Sequence, residues 1–272
     1  MNHPHEITDQ EFALYQKLIY KIAGIHLTDA KKVLLVGRLR KRLLHHQLAS
    51  FGEYYRLVSS PAQAAELQVM VDLLTTNETY FFREPKHFAF LRDVILPART
   101  PGERFRVWSA ASSSGEEAYT IAMLLSEHLP GGNWEVFGSD LSTQVLERAR
   151  AAVYPLERAE GIPPAYLAKY CLKGVRSQAG TLLMSTQLRK NVSFRQINLK
   201  QPMEARLGDF DVIFLRNVMI YFDLETKQLV VNNLLPRLKP GGWFIVGHSE
   251  SLNGIASVLQ PVQPTIYRKP AR

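Results

Sequence analysis

The first residues with chemical promise are a run of small side chains followed by two carboxylates. Ser109-Ala110-Ala111-Ser112-Ser113-Ser114-Gly115 holds no large side chain for seven positions, and Glu116-Glu117 come directly after it. Asp140 closes the next apolar run, Trp134 to Ser139. A backbone without bulk admits a ligand closely, and a helix starting behind it offers free N–H groups. A carboxylate at the end of a second strand can accept both hydroxyls of a ribose. Neither G-x-G-x-x-G nor G-x-x-x-x-G-K-[ST] follows the first strand, which disfavours a phosphate-cradling loop. An adenosine ligand without pyrophosphate fits these facts, and S-adenosylmethionine is the commonest one. The plainer readings are a Ser-rich loop and an aspartate that caps a helix. Asn77 and Arg83 add polar groups among the aromatics of Thr75–Arg83, TTNETYFFR, where an idle polar group would be costly.

These residues need elements to hold them. From Arg104 onward strands and helices alternate, which predicts an α/β fold with a mainly parallel sheet covered on both faces. The expected strands are Arg104–Ala110, Trp134–Ser139, Val192–Ile197, Phe210–Leu215, Trp243–Val246 and Thr265–Arg268. The pattern weakens between Tyr154 and Asn191, and the turn-rich Gly174–Gly180 suggests an insertion carrying a small hairpin subdomain. Before residue 76 the patterning is helical. Asp9 can cap a first helix that stops at Gly24, Thr28 or Asp29 opens a second through about Leu48, and Gly52–Val58 and Ala62–Leu74 complete a bundle. The expected division is a helical unit at 1–76, a connecting segment at 77–103, and an α/β unit at 104–272 with its insertion at about 155–191.

The second helix is distinctive. From Lys31 to His46 there are six Lys or Arg and no acidic residue. Val36, Leu39 and Leu43 share one side at the 3.6-residue period, while Lys31, Arg38, Lys41 and Arg42 lie on the other. A solvated face and a docking surface for an acidic partner both fit such a stripe. The net charge of +8 points the same way. Hydrophobic content of 46% and charged content of 21% are those of a globular protein. No apolar run reaches membrane-span length, and MNHPHEITDQ lacks a secretory h-region, so a cytoplasmic location without membrane insertion is expected. The single Cys171 excludes an internal disulfide, and no Cys/His cluster suggests a structural zinc, so no metal is expected.

Several longer motifs then resemble one family. Thr75-Thr76-Asn77-Glu78-Thr79-Tyr80-Phe81-Phe82-Arg83-Glu84 looks like the T-T-N-x-T-x-F-F-R-E signature of the CheR chemotaxis receptor methyltransferases. Trp108–Ala111 with Ser114–Glu117, Ser139-Asp140-Leu141, Asn198-Leu199, Arg216–Phe222, Lys239–Gly242 and Gly247–Glu250 match further blocks in order. Ser112-Ser113 and Ala118 depart from the usual residues without touching these blocks. The resemblance implies a Rossmann-like S-adenosylmethionine domain with a small inserted β-subdomain, preceded by an all-α domain. It implies methyl transfer to glutamate side chains of chemoreceptor cytoplasmic helices, with S-adenosylhomocysteine as the other product. Carried over by position, Asn77, Thr79, Arg83, Glu117, Asp140, Asn198, Leu199, Arg216 and Asn217 surround the cofactor. Asp140 holds the ribose, Glu117 suits the methionine ammonium, and Arg83 and Tyr221 face the transferring methyl. In some relatives the β-subdomain takes a receptor C-terminal pentapeptide, which spacing alone does not decide here. A monomer is expected.

Such a reaction needs little machinery. A glutamate is ionised at neutral pH, so no general base is required and alignment is the main task. The basic stripe Lys31, Arg38, Lys41, Arg42 can then steer Glu-rich helices. A nucleic-acid methyltransferase would show Asn/Asp-Pro-Pro-Tyr/Phe where Arg216-Asn217-Val218-Met219 stands, so no nucleic-acid partner is expected. A non-catalytic scaffold on the same fold is the other rival, and retention of Arg83, Asp140 and Tyr221 speaks against it.

Overall fold

The computed structural model describes residues 6–271. The first five residues, part of the expected helical unit and of the segment inspected for a secretory signal, lie outside the described residues, as does Arg272.

Among the described residues, the N-terminal unit is built from α1 (Asp9–Ala23), α2 (Lys32–His45), α3 (Phe51–Val58) and α4 (Ala64–Leu74). Thr8, not Asp9, caps α1 in a reciprocal box with Glu11. Gly24 stops it at φ 71°, and a Cβ there would meet the Thr226 methyl at 2.4 Å. Their common core includes Tyr15, Ile19, Leu35, Leu39, Leu43, Phe51 and Tyr54. The buried line on α2 is therefore Leu35, Leu39 and Leu43, with Val36 at its margin.

Pro85 starts α5 (Pro85–Phe90), which continues as one wider π-turn over Leu91–Ile95. The sheet then follows: β1 (Phe105–Ser109), α6 (Glu116–His128), β2 (Trp134–Asp140) and α7 (Thr143–Ala151). The insertion contains β3 (Val153–Pro155), α8 (Pro164–Tyr170), β4 (Cys171–Lys173) and β5 (Thr181–Met184). The chain continues through α9 (Thr186–Arg189), β6 (Val192–Gln196), β7 (Phe210–Leu215), α10 (Leu224–Leu234), β8 (Leu238–Val246), β9 (Gln260–Gln263) and β10 (Ile266–Arg268).

The large sheet runs β6-β2-β1-β7-β8-β10-β9, parallel except for the two antiparallel pairings made by β10. Strand order reverses direction between β1 and β7, and the crevice beyond the strand ends at such a switch point is where open α/β sheets bind ligands. Alternate residues of β7 feed opposite cores: Val212 and Phe214 on the α6 side, Ile213 and Leu215 on the α10 side. The insertion forms a separate antiparallel sheet, β3-β5-β4. Two strand expectations change. β8 begins at Leu238, five residues before the expected Trp243, because Pro240-Gly241-Gly242 lies within the strand at a register shift. β9 is exposed along its length and carries Pro261, so it gives no alternation to read. Among the described residues no helix is long and apolar enough to cross a membrane.

Candidate functional site

The crevice at the switch point is a cleft enclosing about 940 Å³ of empty space, part of it open to solvent. Asn77, Thr79, Arg83, Glu117, Asp140, Asn198, Leu199, Arg216, Asn217 and Tyr221 all line it. They come from five separate stretches of chain. Lys31, Arg38, Lys41 and Arg42 do not line it.

The small-residue turn forms the floor. Trp108 Nε1 donates to Ser139 Oγ at 2.9 Å, and Ser112 N donates to the Ser139 carbonyl at 2.8 Å, pinning the turn to the end of β2. Gly115 turns the chain into α6 at φ 97°, where any Cβ would meet the Tyr154 hydroxyl at 2.9 Å and Ala149 Cβ at 3.0 Å. The glycine is thus required by conformation and space together. Ser113 N and Ser142 N donate to the two oxygens of Asp140 at 2.9 and 3.0 Å. Burial pushes the Asp140 carboxyl up, against the pull of these backbone N–H groups. Each oxygen keeps a lone pair, so a buried bidentate acceptor stands on the cleft wall.

Opposite it lies a charge network. Arg216, at the end of β7, has a side chain 1% exposed. Its Nη1 donates to Glu117 at 2.8 Å, and its Nη2 donates to Glu84 at 3.0 Å and to the Arg83 carbonyl. The second Glu117 oxygen accepts from Ser109 Oγ at 2.6 Å. Glu84 also accepts from Asn217 Nδ2 at 3.0 Å and from the His248 N–H at 3.1 Å. Burial would raise the Glu84 carboxyl, but the Asn217 amide and the Arg216 guanidinium outweigh it and hold the carboxyl below its usual value. Glu84 and Asn217 both take left-handed backbone, each at φ 58°, and Phe82 does so at φ 57°. Unfavourable conformations gathered at one wall persist only where surrounding contacts enforce them, and such clustering marks functional sites. Glu250 performs part of that enforcement, accepting from Gly247 N at 2.7 Å and Asn217 N at 2.8 Å.

Glu84, His87 and His248 bring three ligand-type atoms within 4.8 Å of one another. The Glu84 oxygen nearest His87 already accepts from Arg216 and from the His248 N–H. A cation added there would face the guanidinium, so the charge this cluster calls for is one the chain itself supplies.

The remaining expected residues divide by what their polar groups do. The Asn198 amide donates to the Ile22 carbonyl at 2.7 Å and its oxygen accepts from Lys200 N at 3.0 Å. Its side chain is therefore spent on holding α1, and its carbonyl accepts from Gln201 N at 2.9 Å. Asn77 Nδ2 bonds Thr75 Oγ at 3.0 Å, while Ser113 Oγ donates to the Asn77 carbonyl at 2.9 Å. Arg83 is half-buried, donating to the Glu78 carbonyl and resting 5.7 Å over the Tyr80 ring. Tyr221 is half-buried, and its carbonyl accepts from His26 N at 2.9 Å. Glu116 faces away from the cleft, fully buried between Ser114 Oγ and Arg158 Nη1 at 2.7 Å each. Phe81 packs in the core.

The basic stripe needs correction. Arg42 pairs with buried Glu66, which also accepts from Tyr54. Arg38 donates to the carbonyls of Leu74 and Thr75 at 3.1 and 2.9 Å. Both face α4, because residues four apart share a side and that side is covered. Of the four, only Lys31 and Lys41 are exposed. Glu84, Ser113 and Glu250 are the site residues that sequence reasoning gave no role. Glu84 and Glu250 stood inside quoted motifs, but nothing in spacing says which distant groups they meet.

The donor set fits an adenosyl ligand bearing an amino acid: a buried diol acceptor at Asp140, an anionic wall at Glu117, and the apolar Leu141, Ile197, Leu199 and Phe222 between. Comparison with known proteins agrees. Residues 77–268 match the family description "CheR methyltransferase, SAM binding domain", and residues 10–75 match "CheR methyltransferase, all-alpha domain". A chemotaxis protein methyltransferase of Escherichia coli is 41% identical over 96% of this chain and 91% of its own length. That of Salmonella typhimurium is 38% identical over 96% of this chain and 90% of its own length. Chemotaxis protein methyltransferase 2 of Pseudomonas aeruginosa is 38% identical over 98% and 95%. With both family descriptions matched in order, and relatives similar from end to end, this chain belongs to the CheR methyltransferase family.

Proposed function

We propose that this protein is an S-adenosylmethionine-dependent protein-glutamate O-methyltransferase acting on the cytoplasmic helices of chemoreceptors, and that it works as a cytoplasmic monomer. The observation that carries the reading is one cleft in which Asp140, Glu117, Arg83 and Tyr221 meet although they are far apart in sequence. Bound S-adenosylmethionine supplies an electrophilic methyl group on a sulfonium. Asp140 accepts the ribose hydroxyls, Glu117 takes the ammonium, and the main chain at Asn198-Leu199 borders the base. Arg83 and Tyr221 orient an acceptor carboxylate that arrives ionised, so no residue of the chain needs to remove a proton. The apolar lining keeps water from the acceptor, favouring a step in which opposite charges cancel. Exposed Lys31 and Lys41 steer the acidic helix by its charge.

The inserted sheet is the proposed seat of a receptor C-terminal segment of about five residues. Its edge strand β4 exposes Leu172, and Val175 follows close by, at 54% and 69%. An edge strand with exposed apolar residues suits addition of an extended peptide. The division into 1–76, 77–103 and 104–272 belongs to the same proposal. Incubating the protein with S-adenosylmethionine and receptor-containing membranes, then mapping receptor peptides by mass spectrometry, tests the function. Methyl groups on glutamates of the cytoplasmic helices support it; methylation only of other residue types, or none, refutes it.

A further inference from the structure

Two carboxylates share the Arg216 guanidinium, one facing the cleft and one behind it. Glu117 lines the cavity and Glu84 does not. Arg216 is held on both sides, at 2.8 Å to Glu117 and 3.0 Å to Glu84, with its side chain 1% exposed. Solvent screens such a group little. Phe88 backs it with its ring centroid 5.2 Å from the guanidinium carbon, so Arg216 cannot swing away from either partner without losing buried contacts.

We propose that Glu84 is a specificity-determining positioning residue: by sharing Arg216 with Glu117, it leaves this three-residue cluster with one net negative charge, and so selects adenosyl ligands that carry a protonated amino group. This rests on the S-adenosylmethionine reading of the cleft. Without the Glu84 charge, the guanidinium would neutralise Glu117 alone, and an arriving ammonium would meet a neutral pair. With it, the surplus charge lies on the one carboxylate of the pair exposed to the cavity. The left-handed backbone at Glu84 and Asn217, joined by their 3.0 Å side-chain bond, fixes Glu84 at the distance where this sharing occurs. Glu84 touches neither cofactor nor acceptor in this account; its effect passes through Arg216.

The test is calorimetric titration of wild type and Glu84→Gln with four ligands. S-adenosylmethionine and S-adenosylhomocysteine carry the amino group, decarboxylated S-adenosylmethionine keeps it without the carboxylate, and 5′-methylthioadenosine lacks both. Loss of a neighbouring charge should weaken the three amino-bearing ligands by roughly tenfold or more and 5′-methylthioadenosine by less than about twofold. Equal loss for all four ligands would mean a merely structural role and overturn the proposal, as would no loss for any. If Glu84→Gln does not fold, wild type still decides. A wild type that binds 5′-methylthioadenosine as tightly as S-adenosylhomocysteine has no charge selection, and the proposal fails. A wild type that binds none of the four overturns the S-adenosylmethionine reading itself.

Discussion

At the scale of single residues, the site places similar groups in unlike surroundings. Glu116 and Glu117 are neighbours in sequence, yet one is locked to Arg158 behind the turn and the other faces the cleft. Their order along α6 decides this, since consecutive helical residues point about 100° apart. Tyr221 has no side-chain role in the surrounding packing comparable to that of buried Met219, so its substitution should spare the fold. Replacing Tyr221 by Ala is expected to cut turnover while changing S-adenosylmethionine affinity far less, and Arg83→Ala to reduce both. Initial rates beside calorimetry check this; unchanged turnover in Tyr221→Phe would remove the hydroxyl from the account. His87 gives a second prediction. Burial lowers its imidazole to about 4, with the Arg216 charge adding to the effect and Glu84 opposing it. Unfolded, the ring titrates near 6.5. The unfolded chain therefore binds more protons between these values, so this contribution to stability is complete above 6.5 and is lost as pH falls toward 4. Urea midpoints measured across that window should fall on acidification, and His87→Gln should flatten the slope; an unflattened slope contradicts the assignment.

At the scale of elements, α2 shows what charge spacing does and does not reveal. The acid-free run from Lys31 to His46 was legible, and so were Leu39 and Leu43 of the apolar line, whose third member is Leu35 and not Val36. That α4 covers the Arg38–Arg42 side was not, because it depends on how two helices pack and on Glu66 reaching back across 24 residues. Glu66 is buried, and although that burial raises its carboxyl, the Arg42 guanidinium, the Tyr54 hydroxyl and His46 overcome it and bring the carboxyl down to about 2. Breaking a buried pair strands the remaining charge and costs about 3 kcal/mol or more. Arg42→Glu is thus expected to lower the unfolding temperature sharply and is a poor probe of docking. Lys31→Glu with Lys41→Glu should leave that temperature nearly unchanged and raise the Michaelis constant for receptor, the effect shrinking as salt rises. A Michaelis constant that does not move would exclude these lysines from encounter. β9 was invisible for a different reason: exposed Gln260-Pro261-Val262-Gln263 has no buried side to alternate with, and its place is fixed by β10 alone.

At the scale of the whole molecule, the helical unit is the second wall of the cleft as well as a neighbour of it. Ala23 and Ile25 line the cavity, Ile25 bridges Phe222, Tyr20 Oη donates to Asp223 at 2.7 Å, and Asp72 accepts from Thr143 N at 3.0 Å. The α/β alternation and most strands were readable from periodicity, and the cofactor class from small residues, Asp140 and a missing phosphate loop. The junction was not, because Tyr20, Asp72 and Asn198 meet partners 203, 71 and 176 residues away, which no local pattern shows. Gly24→Ala should strain that turn and press on Thr226, lowering stability by about 1 kcal/mol or more and weakening S-adenosylmethionine binding although Gly24 lies outside the cavity lining. Thermal melts with and without ligand check it; full affinity in a destabilised variant would show that the helical unit does not shape the cleft. The most direct measurement for the whole account is the chemistry of the product. Receptor-containing membranes incubated with this protein and methyl-labelled S-adenosylmethionine should acquire label that is released as volatile methanol by mild alkali, as a glutamyl methyl ester requires. Label that survives alkali would place the methyl on another acceptor and contradict it.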